Sequence, residues 1–240
     1  MTMKSYIAFM VAFVPCLLLL IVVTQLYSPE NLPILLLVNM MSCSLLIALS
    51  LVCSTAGFSF RELDISTIDY TVTALLAALF STELFWGMIL PSPLFIIPGI
   101  SFLAVSLTSY LPKAIIYGAL IGFSPKPLLS TLFFIIWGLA SEALFFNPAW
   151  LLYYPTWGAL LDLYISLSKG EEHNKTWLFL LGLLFGSIGW ALTKVYMVVF
   201  WGNWHPLPLS LGASLLNGIL TGLGLPLGWK IGFKARRMSI

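Results

Sequence analysis

Charged side chains are so sparse in this chain that they dictate its solvent. Only 8% of the residues are charged and 60% are apolar, against about 25% and about 45–50% in soluble domains. That balance leaves too little polar surface to coat a globule in water. It excludes a soluble enzyme, a nucleic-acid-binding protein and a disordered chain together. A net charge of +2 offers no basic field for nucleic acid. The expected fold is an all-α integral membrane protein.

A bilayer core of about 30 Å takes roughly 20 apolar residues in a helix. Runs of that kind are Ser5–Tyr27, Leu32–Ala56, Tyr70–Leu90, Leu128–Phe146, Trp150–Leu167, Trp177–Phe200 and Leu207–Phe233, with a shorter one at Lys113–Phe123 that can start a turn or two earlier. The first run carries one Lys but has no small-x-small site after it, and a second span follows at once. It is therefore expected to stay as a signal-anchor helix. The stretch Leu94–Pro112 is apolar but interrupted at Pro98-Gly99. Lys4, Arg61, Lys126, Lys169, Lys175, Lys234, Arg236 and Arg237 all fall on the cytoplasmic side if Leu94–Pro112 does not cross on its own. The expectation is about eight spans in a cell membrane with both termini cytoplasmic. Leu94–Pro112 is then a re-entrant or interfacial stretch, or the start of a long tilted helix.

Composition shifts near residue 60. Residues 1–60 form two leading helices, and residues 61–240 form a six-helix core that holds nearly all the tryptophan and the buried charge. No internal repeat is evident, which argues against an inverted-repeat transporter.

Four ionisable residues fall inside predicted spans: Glu83, Glu142, Asp162 and Lys194. Each costs about 2.5–3.5 kcal/mol at mid-helix, so a function or a specific partner is expected. Glu83, Glu142 and Lys194 fall at similar depth in the outer half, and Asp162 toward the inner end. Glu83 and Glu142 are candidates for lining a ligand cavity; a plain Glu–Lys tie is the alternative. Asp162 can also simply reach inner headgroups or backbone. Trp177, Trp204, Trp229 and Trp150 fall at predicted interfaces, where an aromatic belt accounts for them. Trp86, Trp137 and Trp157 lie deeper. Trp86 follows Glu83 by three residues and shares its helix face. A carboxylate beside aromatic faces suits a planar or cationic ligand, and plain packing or lipid contact is the other reading. Asn147 precedes Pro148, so it can cap the next helix or donate to a ligand at the same mouth.

Ala74 and Ala78 make a small-xxx-small pair; Gly182, Gly186 and Gly189 line one later span and Gly218, Gly222, Gly224 and Gly228 another. Such faces serve close internal packing or docking of another membrane subunit. Cys16, Cys43 and Cys53 lie in apolar runs and read as packing residues. With His173 and His205 in separate loops, no metal is expected, and no cofactor. There is no Walker sequence, G-x-S-x-G or H-E-x-x-H. The chain is not expected to be an enzyme, and any energised transport needs a partner that binds ATP.

Residues from about 67 to 233 resemble the substrate-binding S component of energy-coupling-factor (ECF) vitamin transporters. The residues that carry the resemblance are the Tyr70–Phe80 helix with its Ala74/Ala78 face, the stretch Trp137–Pro148 with its Glu142 and Asn147-Pro148 turn, and the glycine-rich last span with Asn217-Gly218 and Gly222. The second is similar to the thiamine-precursor (hydroxymethylpyrimidine) group. The two leading helices depart from that family's six-span pattern. The resemblance implies an outward-facing site for a vitamin-like ligand near Glu142 and Asn147. It also implies a coupling transmembrane subunit against Ala74 and Ala78, two cytoplasmic ATPases, and release of the ligand by toppling in the bilayer. Glu83, Trp86, Trp137, Trp157 and Lys194 join the candidate substrate-binding set on burial, charge and aromatic character. Two other functions fit the same residues: a non-catalytic structural subunit of a larger membrane complex, and a proton-coupled carrier using Glu83 and Glu142.

Overall fold

The computed structural model describes residues 28–57, 64–81, 110–145, 150–167, 174–201 and 205–238, with isolated positions at 18, 21, 22, 25, 26 and 107. Among them are seven α-helices and no strand: α1 (Leu32–Gly57), α2 (Thr67–Ser81), α3 (Leu111–Phe123), α4 (Leu129–Phe145), α5 (Trp150–Leu167), α6 (Lys175–Trp201) and α7 (Leu207–Met238). A single 3-10 turn, Pro29–Asn31, leads into α1. Three segments are long and apolar enough to cross a membrane: Leu32–Thr55, Lys175–Thr193 and Leu207–Met238. The predicted span Ser5–Tyr27 falls almost wholly outside the described residues.

On α7 and α1, large apolar side chains line the outer face and small or polar residues turn inward. Along α7, Leu215, Ile219, Leu223, Leu227 and Ile231 recur every four residues and all face outward. The opposite edge buries Gly218, Gly222, Gly224, Gly228 and Gly232. α1 follows the same rule: Leu37, Met41, Leu45 and Val52 are exposed, while Leu35, Asn39, Cys43, Ser50 and Ser54 are buried. Apolar side chains gain nothing by leaving lipid. Close backbone packing therefore holds the helices together, and small or polar residues turn inward.

The glycines show how close that approach is. A Cβ on Gly118 or Gly122 of α3 would overlap the α7 backbone at Leu225 and Trp229, and one on Gly228 or Gly232 would overlap the α3 carbonyls of Ile115 and Ala119. On its other side, α7 packs on α6: Gly182 and Gly186 face Thr221, Gly222 and the Asn217 carbonyl, and Gly218 faces Leu183 and Ser187. The predicted glycine faces of these two spans are thus used within the chain. α4 packs on α5 through Gly158, which sits against the backbone of Ser130 and Thr131. α1 lies on α5 through the Ser54–Ser166 hydroxyl pair at 3.1 Å and a Cys43–Thr156 hydrogen bond. Cys43 is buried and unbridged, as a packing cysteine should be.

The order of these contacts fixes the helix directions. Leu111, Ile115 and Ala119 of α3 meet Gly224, Gly228 and Gly232 of α7 in the same order, so the two are parallel. Phe179 and Leu183 of α6 meet Gly222 and Gly218 in the opposite order. Carried around the bundle, α1, α3, α5 and α7 point one way and α2, α4 and α6 the other. Lys126, Lys175, Lys234, Arg236 and Arg237 therefore gather at one end. α2 and α3 point in opposite directions, as expected if the link between them does not cross on its own. Most of Leu94–Pro112 lies outside the described residues.

α3 begins at Leu111, within the turn or two expected ahead of Lys113, with Pro112 in its first turn, and its 13 described residues rise about 20 Å. Two expectations change. α7 runs past Phe233 to Met238, because the basic tail residues favour a helix C-terminus. Trp177 is buried rather than in an interfacial belt. Asn174 caps α6 by accepting from the Thr176 and Trp177 backbone N–H groups, and Trp177 turns inward from that first turn.

Gly228→Leu should unfold the α3–α7 seam, costing at least about 3 kcal/mol, because no side-chain rotation clears a carbonyl. A Cβ added at Gly212 would have no atom within 4 Å, so Gly212→Ala should be neutral or stabilise by up to about 1 kcal/mol. Thermal unfolding of both variants in detergent checks the contrast.

Candidate functional site

The basic end and the middle of the bundle differ in chemistry. At the basic end, α2 starts with a capping box. The Ser66 N–H and hydroxyl donate to Asp69 Oδ2 at 2.9 and 2.8 Å, and the Asp69 N–H donates back to Ser66 Oγ at 3.2 Å. Lys126, in the stiff Ser124–Pro127 turn before α4, donates to the same Oδ2 at 2.7 Å and to the Asp64 carbonyl at 2.6 Å. Asp69 lies just before the predicted span start at Tyr70. Burial alone would raise its carboxyl, but the bonds from Lys126, Ser66 and Ser124 outweigh it and bring it down to about 2.

α4 starts without a local cap. Leu128 precedes it in the left-handed region, φ 72°, where a Cβ costs about 1–2 kcal/mol. The missing acceptor comes from α5. Asp162 is fully buried, and its carboxylate takes the Ser130 N–H at 3.1 Å, the Thr131 N–H at 2.9 Å and the Thr131 hydroxyl at 2.6 Å. A carboxylate is well placed at the positive end of a helix dipole. Of the sequence alternatives for Asp162, bonding to backbone is the one found; full burial keeps it from headgroups.

About halfway along the bundle from the basic end lies a cluster of aromatic rings. Phe80 of α2 meets the edge of Trp137 of α4 at 4.7 Å between centroids, and Trp137 meets Tyr154 of α5 at 4.5 Å. Phe134, Trp157 and Phe185 continue the cluster across α4, α5 and α6, at 5.9 and 5.2 Å. Glycines make room for the largest rings: Gly138 lies under Tyr154, and Gly189 under Trp157. Tyr153 and Thr193 hydrogen-bond to each other between α5 and α6. The Trp137 indole N–H is buried with no acceptor. The Trp157 indole N–H is buried near the Tyr153 hydroxyl without completing a well-formed hydrogen bond. Lys113, in the first turn of α3, places Nζ 5.6 Å from the Phe80 centroid, 5.3 Å from Tyr110 and 5.9 Å from Trp137.

Of the predicted site residues, Trp137 and Trp157 thus share one cluster. Glu83, Trp86 and Asn147 lie outside the described residues. Glu142 falls in the last turn of α4 and Lys194 beside Thr193 in α6, with their side chains outside the described residues. Ala74 and Ala78 are exposed on the outer face of α2. Sequence reasoning misses Tyr110 and Lys113. Their three-residue spacing is the available signal, hidden because Lys113 stands at the edge of a predicted span. Among the described residues no group of three or more His, Cys, Asp or Glu could hold a metal ion. No family model, curated protein or solved structure matches the chain.

Asp162→Ala should cost about 1–3 kcal/mol by stranding the buried Ser130 N–H and the part-buried Thr131 N–H. Asp162→Asn keeps one acceptor and should cost less; thermal unfolding of the two variants orders them. For Asp69, the folded carboxyl titrates near 2, below its ordinary 3.8. Its contribution to stability is therefore complete above about pH 4 and lost as pH falls through about 2. The melting temperature of the wild type should drop over that window relative to Asp69→Asn, whose own profile lacks this component.

Proposed function

We propose that the chain captures a small, water-soluble, vitamin-like ligand at its aromatic cluster. The end opposite the basic one faces outward, and the basic end, with both termini, faces the cytoplasm. The observation that carries this reading is the buried indole donor of Trp137, left without an acceptor inside a multi-helix aromatic cluster that also holds the poorly satisfied donor of Trp157. An unsatisfied buried donor costs about 1–3 kcal/mol. A planar ligand with acceptor atoms would stack on the rings and satisfy such donors. Glu142 and Lys194 belong to the outer parts of α4 and α6, the helices that carry Trp137 and Thr193, and Glu83, Trp86 and Asn147 complete the proposed set. The resemblance to ECF S components favours a thiamine-related ligand and uptake with a coupling transmembrane subunit and cytoplasmic ATPases. Exposure of Ala74 and Ala78 supports a partner helix at that face.

The same exposed alanine face favours a second reading, a non-catalytic structural subunit of a larger membrane complex. The discriminating experiment is a thermal-shift screen of the purified chain with thiamine, its pyrimidine precursor, riboflavin and biotin. One of these should raise the melting temperature by several degrees. Trp137→Leu and Glu142→Gln should each weaken that ligand by about tenfold or more, a loss of roughly 1.4 kcal/mol or above. A flat screen, with a stoichiometric partner that is not an ATPase co-purifying, selects the structural subunit.

A further inference from the structure

The outward edge of α7 changes chemistry along its length without changing direction. Ile219, Leu223 and Leu227 are exposed opposite the glycine edge. At about 100° per residue, Lys230, Lys234 and Arg237 project within about 40° of Leu223, and all three are exposed. The leucine edge thus runs on into three cations spread over about 10 Å of helix axis. The 32 residues of α7 rise about 48 Å, which overreaches a bilayer core of about 30 Å and carries this end among the headgroups. A helix dipole favours cations in the last turn only. Arg237 stands there, but Lys230 and Lys234 come before it. Their spacing along the helix sets like charges side by side, which is unfavourable. Among the described residues none of the three takes part in an ion pair, which there joins Lys126 to Asp69.

Arg237 is also poised by its neighbours. Its guanidinium carbon lies 4.4 Å from the Phe233 ring centroid, and Phe233 is stacked on Trp229 at 4.9 Å and 13°. A guanidinium held against a ring keeps its in-plane N–H donors for bidentate contact with a phosphate. We infer that Lys230, Lys234 and Arg237 bind the phosphate of an anionic phospholipid whose acyl chains lie along Ile219, Leu223 and Leu227. Arg237 forks onto the phosphate oxygens, and the two ammonium groups neutralise the remaining charge. Continuity selects a lipid over a soluble anion, because the cations share one helix face with the apolar edge that acyl chains cover. The inference goes beyond the ligand reading and rests only on α7 lying in a membrane, for which it is long and apolar enough.

The test uses the full chain in neutral detergent, titrated with phosphatidylglycerol or with phosphatidylcholine of the same acyl chains. Bound lipid is read by native mass spectrometry. Phosphatidylglycerol should bind at least roughly tenfold more tightly than phosphatidylcholine. Lys230→Gln, Lys234→Gln and Arg237→Gln should each weaken phosphatidylglycerol by about fivefold and leave phosphatidylcholine unchanged. Phe233→Leu keeps every charge but removes the ring beside Arg237, and should weaken phosphatidylglycerol by about two- to threefold. Where a variant folds poorly, added salt on the wild type takes its place: phosphatidylglycerol affinity should fall toward that of phosphatidylcholine. Equal affinity for the two lipids, a preference that salt leaves intact, or phosphatidylglycerol affinity unchanged in all three glutamine variants overturns the proposal. Displacement of the lipid by inorganic phosphate at equal concentration makes the site one for a soluble anion and overturns it as well.

Discussion

Helix backbones in contact, carbonyl against Cα, are what the rest of this structure depends on. α7 is the hub: its glycine edge lies against α3 on one side and α6 on the other. In a bilayer there is no gain in burying leucine away from lipid, so one leucine-rich edge of α7 turns outward and dispersion between close backbones supplies the cohesion. That choice has consequences elsewhere. The described α3 is 13 residues long and lies along the much longer α7. That docking helps carry Lys113 and Tyr110 to the aromatic cluster.

A second constraint is that polar groups at depth need partners. At the basic end the chain meets it through charged side chains. Asp162 supplies α4 with the cap its own sequence lacks, and Lys126 ties the α3–α4 turn to the start of α2 through Asp69. Two helix N-termini are thus secured by charged groups from other parts of the chain. Elsewhere the constraint goes unmet at several places: the indole donor of Trp137 and the side-chain groups of Asn39, Thr73 and Asn217 are buried without hydrogen-bond partners, and so is the Ser130 hydroxyl at the basic end.

Much of the helical skeleton is legible in the residues. α5 runs over the predicted Trp150–Leu167, and α1 and α4 end within a residue of their predicted limits, because prolines and polar turns interrupt the apolar runs there. The glycine faces are legible as packing surfaces, though not which helix each meets, since that is a long-range choice. The site is less legible. Asp162 is visible as a buried charge, but its partner is an absence, the missing cap before Leu129, that no single residue signals. Trp177 is misplaced by the sequence because tryptophan near a span end fits a belt and a core equally well; only the direction set by the Asn174 cap decides. Tyr110 and Lys113 escape a sequence reading because their meaning depends on Phe80 and Trp137, distant in sequence.

The proposed orientation puts the basic end in the cytoplasm and the opposite end outside. Single cysteines at His205 and Lys175, on a background lacking Cys16, Cys43 and Cys53, test it in intact cells with a membrane-impermeant maleimide. The account predicts labelling of His205→Cys from outside, with Lys175→Cys labelled only after permeabilisation. The opposite pattern, or equal labelling of both in intact cells, would contradict it.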